Sequence, residues 1–407
     1  MSNLLSQGGF GCVYYPGLKC DNENDSKKDA NKKFVTKLQK KNFTSNNELN
    51  IGLTIKKNKY YEFFFLPVVS QCPVNIRAYK KKHEDELKEC EVIKDEDAKY
   101  MLMKIPYVKS KPVIDSIFNE TKNKKHIMIS LIELYGASLK AIRILIENNI
   151  VHFDLKSDNI LYDTKNNHTK IIDFGLSIPI KKLNNDNLKE YFYIYAPEYF
   201  VWPLEVHVIN FLLYEYNGDK VDKKYIDDIS KKISTEYVES NKALNLFTKD
   251  FQSKYADLCE LQVKKYLKIA AKKDSDLTQK EYIIYELIKF NDTWDNYSVS
   301  IMILRIIDML FPNDFVENNF FETFSQLLLY NIHPNPLKRF NVNDSLDKFY
   351  GLFYLNETIE TYIETYKSID IDYKDSVEIL NNDNELLNKS INPVSKSGSK
   401  QVTEAKI

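Results

Sequence analysis

The sequence has little of what marks several common classes of protein. Its 57 basic and 58 acidic residues leave a formal net charge of -1, without the basic excess of a dedicated nucleic-acid binder. The five cysteines are odd in number and widely spaced, and no C-x-x-C pair suggests zinc or redox chemistry, so a reducing compartment is the simplest interpretation. Only ten glycines accompany abundant Asn, Lys, Ile and Tyr, a bias typical of an AT-rich genome.

A long hydrophobic run is also missing. The most apolar helix-length segment, SVSIMILRIIDMLF, is interrupted by Arg305 and Asp308. No apolar stretch follows a basic start at the N-terminus. We therefore expect a soluble, cytoplasmic protein with neither signal peptide nor membrane span.

The residues that are present divide the chain into a strand-rich part and a helical part. GCVYYP, KFVTKLQ, YYEFFFLPVV and KYMLMKIPYV are aromatic or β-branched runs between polar connectors, which predicts strands in the first hundred residues. From about residue 125 the pattern becomes helical; Val299, Ile303 and Ile306, for example, recur at helical spacing.

Between these parts lies VHFDLKSDNILYD, residues 151–163, followed by KIIDFG. The apolar pairs around Ile160 and Ile171 flank a polar connector and predict a hairpin, which would bring Asn159 and Asp173 to one edge. These two side chains supply the oxygen ligands that Mg²⁺ prefers. Asp154 can accept a proton from a hydroxyl nucleophile, and Lys156 can offset charge on a transferred phosphoryl group.

These stretches resemble the eukaryotic-type protein kinases, whose catalytic loop reads H-R-D-L-x-x-x-x-N and whose metal loop reads D-F-G. Phe153 stands where that pattern has arginine. The resemblance implies an α+β, bilobal fold with a small antiparallel β-rich N-lobe and a larger, mainly α-helical C-lobe. It also implies ATP and Mg²⁺ as cofactors, with Asn159 and Asp173 as metal ligands.

SQGGFGCVY then resembles the glycine-rich loop over the ATP phosphates, although Ser6 occupies the position of the first glycine. Lys37 matches the strand lysine that binds the α- and β-phosphates, and Glu48 is the best candidate for its helix partner. One turn beyond Glu48 the chain has Gly52, where a bulky residue is expected. The resemblance assigns nucleotide binding to Gly8, Gly9, Gly11, Val13 and Lys37, and catalysis to Asp154, Lys156, Lys37 and Glu48.

Towards the C-terminus, the sequence Ala196-Pro197-Glu198 resembles the end of the kinase activation segment, and Arg339 resembles the arginine that pairs with that glutamate. The predicted N-lobe spans residues 1–105, with inserted charged loops at 20–33 and 75–97. The C-lobe spans 106–365, with a helical insertion at about 205–290 that is either a docking surface or simply extra packed helices. Residues 366–407 are expected to form a largely flexible extension.

The resulting hypothesis is a serine/threonine protein kinase that transfers the γ-phosphoryl group of ATP to protein substrates. Lys156, two residues after Asp154, resembles the pattern of serine/threonine kinases, and this resemblance implies serine and threonine rather than tyrosine as acceptors. Phe153 cannot bind an activating phosphate, so activity should not need phosphorylation of the activation segment. The motif variants and composition resemble kinases of large DNA viruses. For a viral protein, the expected location is the cytoplasm of the host cell or the virion.

Two other classes stay open. A pseudokinase scaffold would bind partner proteins and transfer nothing, and Ser6 and Gly52 favour it slightly. A small-molecule kinase of related fold is the other class. Glu198 and Arg339 argue against it, because they resemble residues of the protein-kinase branch. The sequence predicts no nucleic-acid partner, and it leaves the physiological substrate, the regulator and the oligomeric state open.

Overall fold

The computed structural model describes residues 2–8, 11–20, 30–82, 84–119, 124–310, 319–353 and 373–392. The chain divides into two compact units. The strand-rich unit comprises Met1–Ser116 and Arg143–Lys181, and the helical unit comprises Ile117–Ile142 and Lys182–Ile407. The strand-rich unit thus contains the catalytic and metal loops. The predicted lobe boundaries are a different division and stay a prediction.

A five-stranded antiparallel sheet with the order β1-β2-β3-β5-β4 forms the centre of the strand-rich unit. Two smaller sheets pair β6 with β8 and β9, and β7 with β10. Alternation along the strands buries Cys12, Tyr14 and Leu38 in one cluster, as expected for a sheet with a covered face. The strands are β1 Asn3–Gly8, β2 Gly11–Tyr15, β3 Phe34–Lys40, β4 Ser70–Val74, β5 Tyr100–Pro106, β6 Ser110–Pro112, β7 Ile150–Val151, β8 Ile160–Asp163, β9 His168–Ile171 and β10 Ile178–Pro179.

The helix that matters most for the site is α1, Phe43–Ile55. It begins with a capping box, in which Ser45 N–H donates to Asn42 Oδ1 (2.9 Å) and Asn42 N–H donates to Ser45 Oγ (3.0 Å). Its side chains at Glu48 and Ile51 are buried. The other short helices of this region are α2 Tyr61–Phe64, α3 Ile76–Lys82, α4 Glu84–Leu87 and α5 Val113–Asn119.

One predicted strand is absent. The aromatic run YYEFFFLPVV forms the short helix α2 and an extended segment, and the pairing strand β4 starts only at Ser70. A short continuous apolar run can be a strand or a segment of buried helix, and periodicity alone does not distinguish the two. The predicted hairpin of β8 and β9 is confirmed, with Ile160 opposite Ile171.

Two disulfide bonds cross-link the strand-rich unit. Cys12 on β2 bonds to Cys90, and Cys20 bonds to Cys72 on β4, while Cys259 is a free, buried thiol. These bonds do not agree with the reducing compartment that was inferred from the number and spacing of the cysteines. Widely spaced cysteines can still meet across a sheet, and spacing along the chain did not reveal this.

The helical unit is built around α12, whose residues Val299, Ile303 and Ile307 are fully buried. The helical insertion contains four α-helices, α8 to α11, which pack through apolar residues such as Val263 and Leu267. The helices are α6 Lys124–Glu147, α7 Leu188–Tyr191, α8 Leu204–Tyr214, α9 Ile226–Ser240, α10 Lys249–Leu267, α11 Gln279–Ile288, α12 Trp294–Leu310, α13 Asn319–Asn331, α14 Val342–Phe353 and α15 Tyr373–Ser390.

The ion pair predicted for Arg339 has a different partner. Arg339 binds Glu205 in the first turn of α8 through two contacts of 2.6 and 2.9 Å, and Glu198 is exposed. The prediction of a Glu198–Arg339 pair is therefore wrong. The sequence Pro203-Leu204-Glu205 places an acid after proline at the start of a buried helix, which is the signal that could have identified Glu205.

The expectation of a largely flexible C-terminal extension also needs correction. Residues 373–390 form α15, in which Leu380, Asp383 and Leu387 are buried at helical spacing. Arg305 of α12 contacts Asp383 at 2.7 Å. This spacing was obscured by the many Asn, Asp and Lys residues around it.

None of the helices in the described ranges is long and apolar enough to cross a membrane.

Candidate active site

Lys37 is the central charge of the candidate site. Its Nζ lies 3.0 Å from Glu48 Oε2 and 2.9 Å from Asp173 Oδ1. Lys37 is on β3, Glu48 is on α1 and Asp173 follows β9, so one ammonium group connects three segments that are far apart in sequence. The structure therefore brings together these three predicted residues within the strand-rich unit.

The position of α1 beside Val68 depends on Gly52. A Cβ at residue 52 would lie 2.2 Å from the carbonyl oxygen of Val68, so the backbone of α1 approaches Val68 more closely than a side chain allows. At this departure from the kinase pattern, close backbone packing takes the place of the side-chain packing that a bulky residue would give.

The described glycines of the glycine-rich segment are Gly8, which ends β1, and Gly11, which begins β2. Gly8 pairs with Gly11, and Val13 lies opposite Lys37 on β3, on the same face of the sheet. A Cβ at Gly11 would lie 2.9 Å from Leu38 O and 3.3 Å from Lys37 Cγ, so glycine lets β2 pack against β3 beside the lysine. Ser6 is exposed on β1. The remaining predicted glycine, at position 9, lies outside the described residues.

The catalytic loop holds Asp154 by its side chain and its backbone. Asn159 Nδ2 donates to Asp154 O (2.7 Å) and to Asp154 Oδ2 (2.9 Å), and Lys156 Nζ contacts Asp154 Oδ1. All three side chains are buried. Because both carboxylate oxygens have partners, the orientation of the Asp154 carboxylate is fixed by its neighbours on the same loop.

The catalytic and metal loops are joined directly. Ile172 N–H donates to Asn159 O, and His152 Nε2 lies 3.0 Å from Ile172 O. Asp173 and Phe153 both have left-handed backbone conformations, with φ of 61° and 69°. A bulky residue such as phenylalanine is rarely found in this region, and such conformations concentrate at functional sites. Phe153 is also buried.

The charges of the site shift the pKa values of its members. Burial opposes the charge on Lys37, but the carboxylates of Asp173 and Glu48 outweigh burial and hold the pKa of Lys37 above its ordinary value. Burial raises the pKa of Glu48 to about 7, although Lys37 opposes that shift. Burial also opposes ionisation of Asp173, but the adjacent Lys37 ammonium lowers the pKa of Asp173 below its usual range.

The donor set of Asn159 and Asp173 fits a hard divalent cation. Both hydrogens of the Asn159 amide are directed to Asp154, which leaves the amide oxygen as the acceptor of that side chain. Asp173 uses Oδ1 for Lys37 and for Gly175 N–H, and its side chain is 35 % exposed. Two oxygen donors beside a phosphate site suit a cation that keeps several of its waters.

Sequence reasoning missed two polar residues near this site. Asn47, next to Glu48 on α1, and Ser177, four residues after Asp173, are both buried and hydrogen-bonded to backbone carbonyls. In the sequence, Asn47 and Ser177 are simply polar residues within their segments, and nothing there indicates that they are buried. Burial is set by the fold, so it could not be predicted without the structure.

Comparisons with known proteins agree with this geometry in part. Residues 70–203 match the family model described as the protein kinase domain, a range that contains the catalytic and metal loops but not β3 or α1. No curated protein matches the sequence. A solved structure of the twitchin kinase region from C. elegans matches with 13 % sequence identity and a TM-score of 0.45, over 95 % of this chain and 50 % of that chain. This chain thus spans about half the length of that structure.

The family-model match covers less than half of the chain, so it shows a likeness of residues 70–203 to the protein kinase domain. The predicted α+β, protein-kinase-like fold is confirmed, with an antiparallel sheet in the N-terminal part and helices in the C-terminal part.

Proposed function

We propose that the chain is a serine/threonine protein kinase that uses ATP and Mg²⁺ and does not need phosphorylation of its activation segment. The observation that carries this proposal is the position of Lys37 between Glu48 and Asp173, at 3.0 and 2.9 Å. Such an ion pair between a strand lysine and a helix glutamate accompanies phosphoryl transfer by protein kinases. A scaffold that had lost its activity would not need to keep it.

In this proposal Lys37 and the backbone of the glycine-rich segment orient the phosphates, and Asn159 and Asp173 would hold the metal ion. When bound, Mg²⁺ supplies positive charge that offsets the charge developing on the phosphates. The hydroxyl oxygen of the substrate attacks the γ-phosphorus, while its proton passes to the Asp154 carboxylate. The bond between the γ-phosphorus and the bridging oxygen breaks, and ADP leaves.

Lys156 has two tasks in this mechanism. Its Nζ contacts Asp154 Oδ1 and helps to hold the carboxylate in position. Its charge is also available to the transferred phosphoryl group. Preference for serine and threonine rests on the position of this lysine, two residues after Asp154.

Two observations support independence from phosphorylation. Phe153 occupies the position of the arginine that binds an activating phosphate in many kinases, and it is buried. Ser177 is the one serine or threonine in residues 174–195, and it is fully buried with its Oγ donating to His152 O. A hydroxyl in this position is inaccessible to another kinase.

The test is transfer of radiolabel from γ-labelled ATP to a mixture of proteins, followed by phosphoamino-acid analysis. Asp158, an exposed acid of the same loop, provides the matched control. We expect Asp154→Asn to lower kcat by about 10²- to 10⁴-fold, as for loss of a general base, while Asp158→Asn retains activity. Absence of transfer by the wild type would support the pseudokinase scaffold instead. Label on tyrosine alone would refute the predicted specificity.

The requirement for phosphorylation is tested separately. We expect the wild-type protein to keep its activity after treatment with a phosphatase. Loss of activity on this treatment, with recovery after rephosphorylation of the activation segment, would contradict the proposal. The similarity of the motifs to kinases of large DNA viruses is an inference from the sequence, and neither test depends on it.

A further inference from the structure

Asn47 connects α1 to the segment that follows Asp173. Its amide nitrogen Nδ2 donates to Gly175 O (3.1 Å) and to Ser177 O (2.7 Å). The side chain is buried, and both of its N–H groups are used on one short piece of backbone. The residues involved all belong to the strand-rich unit.

The same segment is attached on its other side to the catalytic loop. Ser177 Oγ donates to His152 O at 3.1 Å, two residues before Asp154. Gly175 packs so closely on α1 that a Cβ there would lie 2.9 Å from Thr44 Cγ2. A continuous set of hydrogen bonds therefore runs from Asn47 through Ser177 to His152.

Asn47 and Glu48 are consecutive residues of α1 with complementary contacts. Glu48 binds Lys37, which binds Asp173, and Asn47 binds the backbone two and four residues after Asp173. Asp173 itself has a left-handed backbone, a conformation that the surrounding structure has to maintain. The position of α1 thus determines both the side chain of Asp173 and the segment that follows it.

We propose that Asn47 is a positioning residue that holds the start of the activation segment against α1 and replaces the ordering effect of a phosphate. This inference rests on the proposed kinase function and deepens it by naming how the site is kept ordered. A phosphorylated loop is ordered by new charge-assisted hydrogen bonds, whereas here an uncharged amide makes equivalent contacts permanently.

The test compares Asn47→Leu and Asn47→Asp with the same substitutions at Asn50, an exposed residue less than one turn further along α1. Leucine removes both donors at similar size, and aspartate also directs a negative oxygen at two carbonyls. We expect kcat to fall about tenfold or more in both Asn47 variants, because each leaves two buried acceptors without donors. Affinity for ATP without a metal ion should change by less than about twofold, because Lys37 keeps its partners.

Hydrogen exchange of the intact protein provides a readout that does not require activity. Amides of residues 174–181 should exchange faster in the Asn47 variants and at the wild-type rate in the Asn50 variants. A purely structural role would lower the unfolding temperature and leave the kcat of the folded fraction unchanged. That result, or equal exchange in both pairs of variants, would overturn the inference.

The two proposals can fail separately. If the wild type transfers no phosphate, the kinase proposal fails, and hydrogen exchange alone decides whether Asn47 orders the segment. If Asn47→Asp does not fold, Asn47→Leu gives the answer, because it introduces no charge. Transfer by the wild type together with normal kcat in Asn47→Leu would refute the positioning role and leave the kinase proposal intact.

Discussion

Arg339 forms a two-point ion pair with Glu205 inside the helical unit, with Nη1–Oε1 and Nη2–Oε2 distances of 2.6 and 2.9 Å. The two side chains are 1 % and 0 % exposed. Trp294 Nε1 donates to the same carboxylate at 3.1 Å, and Arg339 Nε donates to His333 O at 2.8 Å. The pair thus anchors the start of α8 to the segment before α14, and removal of either charge would leave the other buried without compensation.

We therefore expect Glu205→Gln to lower the free energy of unfolding by about 3–5 kcal/mol, the usual result of breaking a buried ion pair from one side. Glu198→Gln is the control, because this exposed carboxylate is only seven residues away and should change stability by about 0.5 kcal/mol or less. Urea denaturation followed by circular dichroism measures both. Equal stability of the two variants would show that the pair contributes little.

Glu48 should set the acid limit of activity. Its pKa of about 7 lies above the ordinary 4.5, so the carboxylate gains a proton as the pH falls through 7 and Lys37 loses one of its two charged partners. We expect kcat/KM to decline below about pH 7 in the wild type, and Glu48→Gln to show lower activity without that decline. The folded state binds this proton more tightly than the unfolded chain, so Glu48 reduces stability as the pH rises from 4.5 to 7. An unchanged acid limb in Glu48→Gln would assign it to another group.

The sequence predicted the residues that meet in the candidate site better than it predicted the supporting contacts. Asn159 immediately precedes β8 and Asp173 follows β9, so the hairpin of these paired strands brings their ends to one edge, and Asp154 lies on the same loop as Asn159. Lys37 could be predicted because a β run surrounds it. Their chemistry is carried by residue type, which the sequence states directly.

The contacts that the sequence did not predict depend on packing between residues that are far apart in the chain. Arg339 and Glu205 are 134 residues apart. Both Glu198 and Glu205 were candidate partners for Arg339, and the sequence did not distinguish them. Asn47 reaches Gly175 across 128 residues. Which asparagine of α1 faces inward depends on how α1 packs on Val68 and β5, and periodicity alone cannot fix that rotation.

The two disulfide bonds should differ in their accessibility to reductants. Cys20 and Cys72 are half-buried, whereas Cys12 and Cys90 belong to the buried cluster beneath the sheet. We expect mild reduction and alkylation of the native protein to label Cys20 and Cys72 first, with Cys12 and Cys90 labelled only on unfolding. Peptide mass spectrometry identifies the labelled thiols. Simultaneous labelling of all four would contradict the difference in burial.

Complete reduction should also lower stability. The bonds close loops of 78 and 52 residues, for which restriction of the unfolded chain predicts about 4 kcal/mol each as an upper value. Urea denaturation with and without reductant measures the loss, and Cys259→Ser, which removes the buried free thiol, separates its effect from those of the bonds. A midpoint that is independent of reductant would show that the bonds contribute no stability.

Gly52 tests whether close packing of α1 positions the site. Alanine at this position would put Cβ 2.2 Å from Val68 O, so α1 must move away from Val68 and carry Glu48 with it. We expect Gly52→Ala to cost about 1–3 kcal/mol of stability and to weaken the Lys37–Glu48 contact, lowering kcat/KM.

Gly351→Ala on α14 is the control, because a Cβ there meets no atom within 4 Å, and it should gain about 0.5–1 kcal/mol from helix propensity. Opposite signs in thermal unfolding, with reduced kcat/KM only in Gly52→Ala, would link the backbone contact at Val68 to the geometry of Lys37. If Gly52→Ala retains wild-type stability and kcat/KM, α1 can shift without disturbing Glu48, and the close approach has no role in catalysis.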